Sequence, residues 1–115
     1  MGVDLIGHEG KSLGAATWDG LLELAVAFGW EPAGTTAPDY YEGPWRGTYC
    51  SNDGQRVSDK DARAISEALY RALTALKLQQ KLTAGQRRIW SNKSVDVVSV
   101  CHFAEYAAKG CFEIL

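Results

Sequence analysis

Apolar positions along the chain form two helical patterns separated by short runs and turns. The stronger pattern covers residues 58–80. Ala62, Ile65, Leu69, Ala72, Leu73 and Leu76 make a stripe at three- and four-residue spacing, with Arg63, Glu67, Arg71 and Thr74 opposite. Ser58, three residues ahead of Asp61, supplies a capping-box variant in which Asp stands where Glu is usual. Asp59–Arg63 and Glu67–Arg71 are acid-before-base pairs four apart, each supporting a helix by about 0.2–0.5 kcal/mol. The helix is expected to end near Gln80. In the other pattern, Trp18, Leu21, Leu22, Ala25 and Phe28 recur at helical spacing, with Thr17 read as the cap. Gly29 stops this helix and Pro32 lies beyond it. Only Asp19 and Glu23 are charged, so most of its circumference is expected to be buried.

The remaining runs are shorter. "GVDLIG" (2–7) reads as a strand, and "HEGKSLGAA" after it as a loop. Residues 30–48 hold all three prolines and no period, which predicts a long ordered loop carrying Trp30, Tyr40, Tyr41 and Trp45. "RGTYC" reads as a short strand, joined through Asn52-Asp53-Gly54 to "QRV" as a hairpin. "LTAGQRRIWSN" suits a short helix only ambiguously. In "VDVVSVCHFAEYAAK" (95–109) dense valine favours a strand. Val97, Val100, Cys101, Ala104 and Ala108 nevertheless share a helical face, and Gly110 is a helix stop, so the expectation is a helix. "CFEIL" closes the chain as a strand and is a candidate partner for "VDLIG". The whole predicts a single α+β domain, predominantly helical, with three or four helices. Its small sheet is built from the termini and the segment near 46–57.

Composition supports this picture. At 115 residues, 46% apolar and 23% charged, the chain suits one globular domain. Four Trp, five Tyr and three Phe rule out a disordered chain. No apolar run is long enough to span a membrane or to read as a signal peptide. Position 6 is Ile6 where myristoylation wants Ser or Thr. Three cysteines without an export signal point to reduced thiols and a cytoplasmic setting.

Charge divides the chain. Residues 68–95 hold Arg71, Lys77, Lys81, Arg87, Arg88 and Lys93 and no acid, whereas residues 1–67 carry a net −6. The basic 71–93 segment, with Trp90 beside Arg87 and Arg88, could meet an anionic partner by ion pairing and stacking. It could equally meet the acidic half of its own fold or of a second copy. The chain's net charge of −2 argues against tight, general nucleic-acid binding.

Candidate chemistry centres on "SNDGQRVSDKDA". With Gly54 at the sixth position of an EF-hand loop, Tyr49 falls at the first and Lys60 at the twelfth. A phenol and an ammonium cannot replace the carboxylates calcium needs there. The simpler reading is a tight turn followed by a capped helix, with Asp59 and Asp61 placed against the helix dipole. Gln55 and Arg56 have no such duty and stay as binding candidates. Cys101 and His102 are adjacent, so on a helix they diverge and share no metal easily. Cys101 fits a buried face and His102 an exposed one. No residue set requires a metal or a cofactor, and no phosphate loop or nucleophile elbow occurs.

Three pieces, "MGVDLIG", "YCSNDGQRVSDKDARAISEAL" and "FAEYAAKGCFEIL", together resemble a group of small bacterial and phage-associated proteins. No activity attaches to that group, so the resemblance implies a bacterial or phage cytosolic setting and no reaction. The leading functional expectation is a non-catalytic binding or interaction module. Its aromatic loop would use Tyr40, Tyr41, Trp45 and Arg46, with Gln55 and Arg56 beside it. The alternatives are a small enzyme or metal protein around Asp53, Asp61 and Cys50, and an anionic-partner binder through Arg87, Arg88 and Trp90.

Overall fold

A computed structural model describes residues 2–91 and 94–115. Asn92 and Lys93, the end of the ambiguous segment and the last base of the 71–93 run, lie outside the described residues. The fold is α+β. Along the chain come strands β1 (Gly2–Ile6) and β2 (Gly10–Gly14), helix α1 (Ala15–Ala27), and strand β3 (Gln55–Val57). Helices α2 (Asp59–Lys77), α3 (Ala84–Trp90) and α4 (Val97–Ala108) follow, and strand β4 (Phe112–Ile114) closes the chain.

The sheet is antiparallel throughout, in the order β2-β1-β4-β3. The two termini pair directly, Leu5 opposite Ile114. Strand alternation sends Val3, Leu5, Val57, Phe112 and Ile114 into the core. There Trp18 meets Phe103 and Phe112 edge-on, with ring centroids 5.6 and 6.3 Å apart. The stripe on α2 packs against α4. The Ser66 hydroxyl donates to the Ala104 carbonyl at 2.7 Å, so the polar residue in that seam is satisfied. Ser58 caps α2 by accepting from the Asp61 N–H at 3.1 Å, but the expected capping box is only half formed, because the Asp61 carboxylate bonds to Trp30, Tyr49 and Ala33 instead. Gly29 and Gly110 end α1 and α4 in left-handed conformations, φ 102° and 117°.

Several expectations are corrected. "GKSLG" is a strand, not a loop: residues 7–9 bend the chain back, and β2 then pairs with β1 over five residues despite its weak β formers. Helix α1 starts at Ala15, with Gly14 rather than Thr17 at the cap position. "RGTYC" is not a strand, and β3 pairs with β4 and, at one point, with Thr36. The Asn-Asp-Gly segment therefore bends the chain, with Gly54 at φ 85°, without making a hairpin. Helix α2 stops at Lys77, three residues early, because Gln79 adopts a left-handed φ of 52°. Neither acid–base pair closes as an ion pair. Asp59 accepts from the Cys111 N–H at 2.7 Å, and Arg71 donates to the Phe28 carbonyl at 2.9 Å. On α4 the buried face is Val100, Phe103, Ala104, Tyr106 and Ala107. Phe103 meets Phe112 edge-on and Tyr106 packs tilted against it, which turns Val97 and Ala108 outward.

Candidate functional site

The long loop, residues 28–54, is fixed to the body by one buried carboxylate. Asp61 is 2% exposed and forms no ion pair. It accepts from the Trp30 indole N–H at 2.9 Å, from the Tyr49 hydroxyl by a short hydrogen bond, and from the Ala33 N–H at 3.4 Å. Its place in the first turn of α2 adds the positive end of the helix dipole. A buried carboxylate with this many donors needs no counter-ion. The Tyr49 hydroxyl in turn accepts from the Gly34 N–H at 2.9 Å, and the rings of Trp30 and Tyr49 meet edge-on at 5.1 Å. Burial first, and then the bond to Asp61, hold the Tyr49 hydroxyl well above the ordinary tyrosine range. A second tie joins the loop to α1, from the Trp18 indole N–H to the Tyr49 carbonyl at 2.8 Å.

This anchoring leaves an open groove of about 560 Å³ between α1, the loop and α3. Helix α1 contributes Leu22, Val26 and Ala27 at helical spacing, flanked by Asp19 and Glu23. The loop contributes Trp30, Pro32, Tyr49 and Cys50, and α3 contributes Arg88 and Ile89. The polar atoms of Trp30 and Tyr49 are bonded behind the groove to Asp61. A second hollow, of about 580 Å³, runs between Phe28, Arg71, Lys81 and Gln86, and Arg71 is already engaged at the α1 C-terminus.

The expected site residues are dispersed. Tyr40, Tyr41, Trp45 and Arg46 do not line the groove. Tyr40 is largely exposed, with its hydroxyl donating to the Asp53 carbonyl. Tyr41 packs edge-on against Trp45 at 4.9 Å, and the Trp45 indole donates to Thr35 at 3.1 Å. Gln55 is fully buried with its amide engaged in the turn. It accepts from the Asp53 N–H at 2.9 Å and donates to the Ser51 carbonyl at 2.6 Å. Arg56 pairs with Glu113 at 3.0 Å across β3 and β4. Of the basic candidates only Arg88 lines the groove; Arg87 donates to the Leu82 carbonyl, and Trp90 is half-buried against the core.

Asp53 is exposed and Asp61 buried, and among the described residues no three His, Cys, Asp or Glu side chains converge as a metal site. Trp30 and Tyr49 are not among the expected site residues, and Asp61 is a candidate there only for the enzyme or metal alternative, although it lies four residues before Ile65 and so falls on the buried stripe. That spacing was the available signal. Compared with known proteins, the chain matches no family model, no curated protein and no solved structure.

Proposed function

We propose that this protein is a binding module and that its recognition surface is the groove between α1, the loop and α3. The observation behind this is the lining. Leu22, Val26, Ala27, Trp30, Pro32 and Ile89 make an apolar floor, and the two aromatic polar groups nearest it are satisfied from behind. A volume of about 560 Å³ falls within the range of roughly 300–1,000 Å³ typical of small-molecule sites. The three cysteines are free, which agrees with a reducing, cytoplasmic setting. No helix among the described residues is long and apolar enough to cross a membrane.

Amide and indole NMR shifts during titration with a neutral apolar probe, 1-naphthalenemethanol, test this reading. Saturable shifts confined to the Trp30 indole and the amides of Leu22, Val26 and Ile89 are expected. Val26→Trp, which fills the rim from a half-exposed position, abolishes them. Shifts that never saturate, or that scatter over the whole surface, count against it.

A further inference from the structure

The charge on the groove's rim says something about the ligand, on the reading that the groove is the recognition surface. Asp19 and Glu23 lie four residues apart on α1, are exposed, and both line the groove. Like charges at this spacing oppose helix formation. Among the described residues neither carboxylate has an ion-pair partner or a hydrogen bond that relieves the repulsion. Among the described residues one cation, Arg88 of α3, shares the lining, so two carboxylates face one guanidinium and the described rim is net negative. The floor between them is hydrocarbon, which lowers the local dielectric and strengthens each charge at its edge.

From this we infer that the groove takes a small molecule with an apolar body and a protonated amine. The body lies on Leu22, Val26, Trp30 and Ile89. The ammonium sits between Asp19 and Glu23, where its three donors meet two acceptor groups and cancel their repulsion. Arg88 repels the ammonium and so sets which end of the ligand faces α1. The groove's size favours a free small molecule over a larger partner.

Three probes with the same ring system test the inference on the full chain: 1-naphthylmethylamine, 1-naphthalenemethanol and 1-naphthaleneacetate, each titrated by NMR in low and high salt. The amine is expected to bind about five-fold more tightly than the alcohol, the acetate more weakly than either. The amine's advantage should shrink in high salt. The double variant Asp19→Asn/Glu23→Gln should bring the amine to the affinity of the alcohol. If the alcohol binds and the amine is no tighter, or the acetate is tightest, the charge inference fails and the groove reading stands. If no probe binds saturably, both fail.

Discussion

Asp61 combines two roles in one residue. Its backbone N–H is received by Ser58 at the start of α2, while its carboxylate receives Trp30, Tyr49 and Ala33 from the loop. Replacing it leaves an indole N–H and a phenol buried without a partner, at about 1–3 kcal/mol for each buried donor. Asp61→Ala is therefore expected to lose about 2–6 kcal/mol in urea unfolding. Asp61→Asn should lose less, since its amide oxygen still accepts from Trp30. Equal losses would mean that the volume of the side chain matters and its acceptors do not. Gln79 is a second residue whose backbone governs an outcome: exposed, with φ 52°, it ends α2 where a glycine is usual. Gln79→Gly removes that strain and should stabilise the protein by about 0.5–1 kcal/mol. A lower melting temperature for this variant would contradict it.

Among the elements, α3 depends most on its ends. Seven residues are too few to hold a helix alone. Thr83 and Gln86 form a reciprocal capping box, Gln86 also donates to the Ala27 carbonyl at 3.1 Å, and Ile89 buries the inner face. Thr83→Ala is expected to cost about 1 kcal/mol. Hydrogen exchange in residues 84–91 should rise while α2 keeps its protection. Uniform loss across both helices would show that α3 is not a separate unit. Those two caps, Ser58 and Thr83, also show what was readable beforehand. The Ser58 cap sat before a clean apolar stripe and was plain, as were the glycine stops; the pairing of the terminal strands was open, because nothing local links residues so far apart in the chain. "LTAGQRRIWSN" stayed ambiguous because its helix is short and rests on Ala27, 59 residues from Gln86. The strand "GKSLG" carries little β propensity and exists because β1 lies beside it. Strand β3 takes its partner from the far end of the chain, which no local turn signal encodes. The aromatic loop itself was legible. Which of its rings face the groove was not, because Asp61, beyond the loop in the first turn of α2, decides that Trp30 and Tyr49 turn inward.

At the scale of the whole molecule, stability should be bounded on both sides of neutral pH by groups that join elements. Asp59 receives the Cys111 N–H where α4 passes into β4, and Asp96 caps α4 by receiving the Ser99 N–H at 2.7 Å. Those bonds hold both carboxyls below the usual aspartate range. A carboxyl depressed in the folded state stabilises it above the unfolded value, near pH 4, and loses that effect as pH falls through the folded value. Tyr49 acts in the opposite direction. Its hydroxyl is raised by burial and by Asp61, so an unfolded chain gives up this proton near pH 10 while the folded protein keeps it. The unfolded state then binds fewer protons, and stability declines as pH rises beyond that point. Burial raises Tyr106 and Tyr70 too, with the same sign. Melting temperature measured across pH should thus be level between about pH 5 and 9, fall below pH 4, and fall again above pH 10. Tyr49→Phe separates the causes. It lowers the plateau, because Asp61 loses a donor and the Gly34 N–H loses its acceptor. It also makes the alkaline decline shallower than in the parent protein. An alkaline slope unchanged in that variant would assign the decline to the other tyrosines and leave Tyr49 without a part in it.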